Sequence, residues 1–231
     1  MSETTATPRS AAVHRALRRA VLEQALKPGT RLPEDTIGEQ FGVSRTIVRQ
    51  ALTRLEAEGL VETLPNRGAF VATPSLEEAR QIFEMRHCLE REVIARLAGQ
   101  MSLPGLDALD AHVTQEERVR GKDGPVSIRL AGEFHILLAE LTGNGILARY
   151  VAEMVSRCSL ILAVYGRTHS SDCAVEEHRE IIRALRDGDA EKAMAIMDAH
   201  LGAVAGRAEL TAGPEPDLAS VLARYGRDQT P

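Results

Sequence analysis

Apolar residues recur at helical spacing through the first 57 residues and then give way to two short strand-like runs. Three helices are expected, the first ended by the turn residues Lys27-Pro28-Gly29 and the second over residues 34–41. The runs 60–64 and 69–71 flank Pro65-Asn66-Arg67-Gly68, which is typical of a β-hairpin. The sequence therefore predicts a winged helix-turn-helix. The apolar residues that define its helices are Val13, Leu17, Ala20, Val21, Ile37, Phe41, Val48, Ala51, Leu52 and Leu55.

The third helix carries polar residues on the face opposite its apolar stripe. Gly42 suits the tight turn before this helix, Ser44 suits its N-cap, and Gly59 suits its end. Residues at the outer face of such a helix contact phosphates and base edges of DNA. The candidate contacts are Ser44, Arg45, Thr46, Arg49 and Gln50. At the hairpin tip, Arg67 could reach a phosphate or the minor groove, and Gly68 is free to take positive φ. Any one of these arginines alone could be an ordinary solvated charge, but the assembled pattern predicts DNA binding.

The rest of the chain reads as consecutive helices without an alternating, strand-like segment. A long helix is expected to begin near residue 76. Glycine- and proline-containing breaks separate it from further helices over about 103–120, 127–141, 146–164, 175–186 and 190–205. An antiparallel bundle is the expected arrangement. The predicted fold class is mostly α: an N-terminal winged helix-turn-helix with a small β-hairpin, followed by an all-α antiparallel helical bundle. The predicted divisions are a disordered tail 1–10, a DNA-binding domain 11–73, a linker 74–78, an effector-binding and dimerisation domain 79–210, and a C-terminal tail 211–231.

Charge is shared unequally between the two predicted domains. The chain has a formal net charge of −5, yet residues 1–75 carry about +2 and the remainder about −7. The weak positive excess implies a local basic face, and total charge alone would not indicate a nucleic-acid partner. No stretch is long and apolar enough for a membrane span, and the N-terminus lacks a hydrophobic signal core. A cytoplasmic protein without a membrane partner is therefore expected.

Three histidines lie on or beside the apolar stripes of three predicted helices. His135 follows Phe134, His178 lies one turn before Ile182, and His200 lies near Met197. Their positions would let the three imidazoles converge inside the bundle and bind a divalent cation such as Zn²⁺ or Ni²⁺, leaving coordination positions for a carboxylate. The alternative is that each histidine is satisfied by ordinary hydrogen bonds. The three cysteines are widely separated and form no close-spaced metal motif.

The N-terminal motifs resemble the GntR family of bacterial transcription regulators. The matching segments are Arg31–Glu34, Phe41–Thr46, Val48–Leu52, Leu55–Leu60 and Asn66–Val71. This resemblance implies a homodimeric repressor or activator on a short palindrome of double-stranded DNA, controlled by a small metabolite, with contacts from Ser44, Arg45, Thr46, Arg49, Arg67 and Gly68. The chain departs from the family at Asp35, where some members carry a DNA-contacting arginine, and at Ile47, where many have proline.

The helical half resembles the FCD domain found in the FadR-like branch of that family. The matching features are Glu84-Met85-Arg86 with Leu89-Glu90, Phe134-His135, Gly143-Asn144, Glu177-His178 with Ile181, and Asp198–Leu201. Metal-binding members are expected to use an aspartate one turn before the first histidine together with three histidines. Here Ala131 occupies that position, and Glu133 lies on a different face. The resemblance thus implies a divalent metal site at His135, His178 and His200 that lacks one anionic ligand.

Arg86 is the first candidate to hold an organic acid, because a guanidinium can bind a carboxylate through two parallel hydrogen bonds. The family resemblance places an arginine at this position in the ligand cavity. The alternative is an ion pair with Glu90, four residues further along the helix. Asn144 and Arg157 are further candidates for the effector site. Asn144 stands between two glycines, however, and this favours a role at a helix end.

These observations predict a ligand-responsive regulator that is controlled by a small carboxylate, with or without a bound metal. One alternative is a metal sensor without an organic effector. Another is a metalloenzyme, because three histidines with an open position also suit catalysis. No well-placed general base or nucleophile motif accompanies the histidines, so the chain is not expected to be an enzyme.

Overall fold

A computed structural model describes residues 8–122, 124–166 and 172–208, and for residues 172 and 173 it describes the backbone only. The first elements are α1 (Pro8–Leu22), α2 (Glu34–Phe41), α3 (Arg45–Ala57), β1 (Val61–Leu64) and β2 (Gly68–Val71). The second group is α4 (Leu76–Leu97), α5 (Leu103–Val119), α6 (Gly124–Leu141), α7 (Gly145–Tyr165), α8 (Asp172–Arg186) and α9 (Ala190–Arg207). The fold is a winged helix-turn-helix followed by an all-α bundle, as predicted.

The N-terminal domain packs three helices against the hairpin. The inward faces of α1 and α3 are buried, with Val48, Ala51 and Leu55 fully enclosed, which follows from their helical spacing. Strands β1 and β2 pair antiparallel, and Val61 lies opposite Val71. Gly42 ends α2 with a φ of 61°, a conformation that favours glycine. Phe41 is 39% exposed, so Ile37 anchors α2 without it.

The second domain is a bundle in which α7 packs against α4 and α6, and α9 packs against α4 and α8. Its main buried cluster is aliphatic apart from Phe134, and a second cluster between α4, α7 and α9 contains Phe83. Phe134 stacks on the imidazole of His178 at a centroid distance of 3.9 Å. Leu160 of α7 is buried in the core of the N-terminal domain. The bundle therefore completes the packing of the DNA-binding domain.

The structure corrects the predicted boundaries at three places. Residues 8–10 of the predicted disordered tail belong to α1, and Ser10 is buried. Residues 76–78 of the predicted linker form the first turn of α4, where the Ser75 hydroxyl accepts a hydrogen bond from the Glu78 amide. Helix α6 begins at Gly124, three residues earlier than predicted. The remaining predicted tail residues, 1–7 and 211–231, lie outside the described residues. Within the described part of the chain, every helix is too short or too polar to cross a lipid bilayer.

Candidate functional site

The predicted DNA-contacting residues lie together at the start of α3 and at the hairpin tip. Ser44 is the N-cap residue, although its side chain makes no capping hydrogen bond, which corrects that detail of the prediction. The side chains of Arg45, Thr46 and Arg49 are exposed, and Gln50 is half-buried. In the hairpin, Arg67 lies over the ring of Phe70 at 5.4 Å, and Gly68 has a φ of 91°.

Both arginines of α3 form ion pairs with the first turn of α2. The Nε of Arg49 donates to both carboxylate oxygens of Glu34, at 2.8 and 2.9 Å. The Nε of Arg45 forms an ion pair with Asp35. Asp35 is a departure from the family pattern, but its pairing with Arg45 and that of Glu34 with Arg49 were not predicted from the sequence. Two adjacent acids at the start of α2, ahead of two arginines one turn apart in α3, were the available signal.

The three predicted histidines do converge inside the bundle. His135 of α6, His178 of α8 and His200 of α9 are all buried, and one ligand atom from each lies within 4.8 Å of the others. The Nε2 atoms of His135 and His200 are 3.2 Å apart. The Nε2 of His178 is buried without a hydrogen-bond partner among the described residues. A polar atom in this state is costly unless another group binds it.

A glutamate carboxyl group contacts the Nδ1 atom of each histidine. Glu90 contacts His135, Glu116 contacts His178 at 2.9 Å, and Glu177 contacts His200 at 2.6 Å. These acids come from α4, α5 and α8, and they were not predicted from the sequence as part of the site. Such outer partners orient an imidazole and turn its other nitrogen toward a metal ion. Because each Nδ1 is engaged in this way, the Nε2 atoms remain as the candidate metal ligands.

Burial controls the protonation of this cluster. It lowers the pKa of His135 to about 3 and that of His178 well below its ordinary value, because imidazolium is poorly solvated there. Burial also raises the pKa of Glu116 to about 8. For Glu90, burial acts to raise the pKa, but the charges of Arg86 and His135 outweigh it and lower the pKa to about 2. His135 and His178 are therefore neutral near pH 7, which is the form that binds metals, whereas Glu116 is mostly protonated there.

A small cavity of about 80 Å³ adjoins the histidines. Arg86, His135, His200, Ala131 and Arg207 contribute to its wall, and none of the described residues that line it is acidic. Arg86 is buried, forms an ion pair with Glu90 at 2.7 Å and donates to the sulfur of Cys158. The ion pair of Arg86 with Glu90 and a contact of Arg86 with an organic acid are thus compatible, because the paired side chain also lines the cavity.

Two other predicted effector contacts lie elsewhere. The Asn144 side chain caps α7 by accepting hydrogen bonds from the amides of Ile146 and Leu147. Arg157 forms ion pairs with Glu78 and Glu153 on the side of α7 that faces the N-terminal domain. Neither residue lines the cavity.

Helices α6 and α7 connect the cavity to the DNA-binding domain. Val155, Cys158 and Ser159 of α7 line the cavity. Between them, Ser156 accepts a hydrogen bond from Arg18 of α1 at 3.3 Å. On α6, Arg129 donates to Glu23 at 2.9 Å, immediately beside the cavity residue Ile128. No flexible loop separates the two sets of contacts.

Comparison with protein families matches both parts of the chain. The family model for bacterial regulatory proteins of the gntR family matches residues 9–71, and the FCD domain model matches residues 81–203. The Nta operon transcriptional regulator of Aminobacter aminovorans is 30% identical over 177 residues, covering 76% of this chain and 82% of that protein. The HTH-type transcriptional repressor RspR of Escherichia coli K12 is 27% identical over 187 residues, or 79% and 82% of the two chains.

A solved structure is similar over most of its length. The crystal structure of a GntR-type transcriptional regulator from Rhodococcus sp. RHA1 superposes with a TM-score of 0.73 at 25% sequence identity. The match covers 87% of this chain and 97% of that one. Both domains are therefore similar to those of transcription regulators.

Proposed function

The chain belongs to the GntR family of bacterial transcription regulators with an FCD domain, and on that premise we propose a repressor that a small carboxylate controls. It would bind a palindromic operator as a homodimer, in the cytoplasm. The members of this family are transcription regulators, and transcription regulators are not a class of enzymes. The convergence of one ligand atom from each of three histidines, with a glutamate carboxyl group behind each ring, is the observation that carries the proposal for the effector site.

The DNA-contacting surface would be the N-terminal half of α3 together with the hairpin. Ser44, Thr46 and Gln50 flank the two arginines, and Arg67 and Gly68 extend the surface at the hairpin tip. In a dimer, two such helices would enter successive major grooves on one side of the duplex, about 34 Å apart. A palindromic operator follows from this two-fold symmetry.

The histidine cluster fits a divalent metal ion such as Zn²⁺ or Ni²⁺. If Glu90 and Glu177 accept hydrogen bonds from the Nδ1 atoms of His135 and His200, both Nε2 atoms carry lone pairs. Two lone pairs facing each other at 3.2 Å repel unless a cation or a proton lies between them. Burial disfavours the added proton. Two nitrogens bound to one tetrahedral Zn²⁺ would be about 3.3 Å apart, close to the observed separation. The metal would supply a positive centre for an anionic effector.

The cavity beside this cluster fits a small anion. Its charged side chains are Arg86 and Arg207, and no acid lines it among the described residues. Ala131 offers no ligand atom, so an oxygen of the effector could complete the coordination of the metal. The volume of about 80 Å³ accommodates about five to eight water-sized groups, which indicates a short organic acid.

Coupling to DNA would pass through α6 and α7. An effector that contacts Val155 or Cys158 on one side of α7 acts on the same rigid element as the Arg18–Ser156 hydrogen bond on the other. Binding changes the operator affinity only if the effector prefers one of two domain arrangements. The proposed effector would thus change the placement of the two DNA-binding domains in the dimer.

Elemental analysis of the purified full-length protein tests the metal site. We expect close to one divalent metal per chain in the wild type and a loss of metal in His135→Ala/His178→Ala. Circular dichroism would confirm that the double variant keeps its helices, and His200→Asn offers a milder second variant. Absence of metal in the wild type, even after incubation with Zn²⁺ or Ni²⁺, would refute the metal site.

The same preparations test the effector. We expect short carboxylic acids to raise the melting temperature of the metal-loaded wild type and to change its DNA affinity. A change in DNA affinity caused by Zn²⁺ or Ni²⁺ alone, with no response to any acid, would instead indicate a metal sensor.

A further inference from the structure

The first turn of α2 places two carboxylates against the two arginines of α3. Glu34 contacts the Nε of Arg49, and Asp35 contacts the Nε of Arg45, one helical turn earlier. Acidic groups are favoured at this position by the partial positive charge at the N-terminus of α2. The two acids are successive residues of α2, and their arginine partners lie one turn apart on α3.

The atoms involved in these pairs matter for DNA recognition. Glu34 occupies the Nε of Arg49 with both oxygens, and no other hydrogen bond to this guanidinium is found in the described part of the chain. The two terminal Nη groups therefore remain available. These two groups can donate end-on to the O6 and N7 atoms of a guanine, which is the commonest specific contact in the major groove.

A phosphate contact makes a different demand on the same arginine. A phosphate that binds through the Nε edge has to displace the carboxylate, and the carboxylate also repels the phosphate. A guanine that binds end-on leaves the ion pair intact. The acid thus lowers affinity for the DNA backbone more than affinity for a matching base.

We infer that Glu34 and Asp35 are specificity-determining positioning residues, which hold Arg49 and Arg45 for end-on base recognition and weaken their binding to phosphates of unrelated DNA. This inference rests on the proposed role of the two arginines in DNA binding. It assigns a function to acids in a DNA-contacting region, where a carboxylate would otherwise only reduce affinity.

The experiment begins with full-length wild-type protein and a pool of random duplexes, from which repeated selection isolates a preferred sequence. Dissociation constants are then measured for that duplex and for a scrambled duplex between 50 and 200 mM KCl. The variants are Glu34→Gln, Asp35→Asn and the combination of both. Glu39→Gln is the matched control, because it removes an exposed acid from the same helix, and no pairing of Glu39 with Arg45 or Arg49 is found in the described structure.

We expect the combined variant to bind scrambled DNA more tightly than the control variant does. The ratio of specific to non-specific affinity should fall about tenfold relative to Glu39→Gln, as expected when bidentate base contacts lose their orientation. The salt dependence on scrambled DNA should also steepen by about one unit of slope for each arginine that gains a phosphate contact. A purely structural role for the acids would not change this slope.

Two results would overturn the inference in distinguishable ways. If the combined variant and Glu39→Gln share the same specificity ratio and salt slope, the acids act only through net charge, and the proposed DNA-binding function stands. If the wild type enriches no sequence from the pool, the proposed function fails and the inference fails with it. A melting temperature within a few degrees of the wild type would confirm that the variants are folded.

Discussion

Arg–Glu pairs occur in both halves of the molecule, but in opposite environments. In the DNA-binding half, the Arg49 side chain is 66% exposed and its partner Glu34 is 29% exposed. In the bundle, the Arg86 and Glu90 side chains are 4% and 3% exposed. An exposed pair is weak and can exchange its partner for another anion, whereas a buried pair cannot lose one member without leaving an unpaired charge. The same chemistry thus provides a replaceable contact in one half and a fixed one in the other.

The largest effect is expected for breaking the fixed pair. Arg86→Ala leaves Glu90 buried without its cation, and the free energy of unfolding should fall by about 3–5 kcal/mol. Urea denaturation of the metal-free protein measures this change. Arg96→Ala is the matched control, since Arg96 pairs with Glu92 on the same helix at the same four-residue spacing but in an exposed position. Its cost should stay within about 0.5 kcal/mol. Equal losses in the two variants would contradict the comparison, and Arg86→Lys should recover part of the stability.

An intermediate effect, on binding rather than stability, is expected in the other half. Arg45→Ala and Arg49→Ala should each weaken binding to the selected duplex about tenfold or more, because each removes a base or phosphate contact. Their unfolding curves should coincide with that of the wild type, since both side chains are exposed. Fluorescence anisotropy gives the affinities. Arg54→Ala, at the other end of α3, serves as the control, and unchanged affinity in either test variant would refute the role assigned to that arginine.

The smallest effect is expected where the two halves meet. Burial acts to raise the pKa of Glu58, but His14 and Arg18 outweigh it and hold the pKa below its ordinary value of 4.5. The carboxylate therefore stabilises the fold above pH 4.5, and this contribution is lost as the pH falls through the lower, folded-state pKa.

The stability difference between wild type and Glu58→Gln should accordingly be largest near pH 6 and should shrink toward pH 3.5. We expect no more than about 1 kcal/mol from this part-exposed group, measured by urea denaturation at each pH. Repeating the series in 1 M NaCl should reduce the difference further, because salt screens the pair. A difference that grows as the pH falls would contradict this sign.

Local patterns were sufficient to predict the helices, the hairpin and the convergence of the histidines. Val48, Ala51 and Leu55 are buried because helical spacing places them on one face, whatever packs against it. His135, His178 and His200 lie beside apolar stripes, and in a bundle those stripes face a common interior. The prediction of a shared site therefore needed no knowledge of how the helices cross.

Partners from distant helices were not predictable in the same way. Glu116 reaches His178 across 62 positions of sequence, and Arg157 reaches Glu78 across 79. Such contacts depend on the order and crossing of helices in the bundle, which periodicity does not specify. The role of Asn144, in contrast, was predictable from its local sequence. Its position between two glycines favours the helix cap that the structure shows.

The burial of Leu160 has a consequence for how this protein can be divided. This side chain comes from the C-terminal part of α7, yet it belongs to the buried cluster formed by α1, α3 and the hairpin. Arg157 of α7 also packs closely against the backbone of Gly59. A Cβ at this position would lie 2.2 Å from the Arg157 Nε. A chimaera joined at residues 74–78 would separate a DNA-binding domain from part of its own interior. A DNA-binding domain that is transferred to another protein therefore needs a matching α7 surface as well as the connecting segment. Exchange of effector domains between relatives has to preserve the contacts between α7 and the DNA-binding domain.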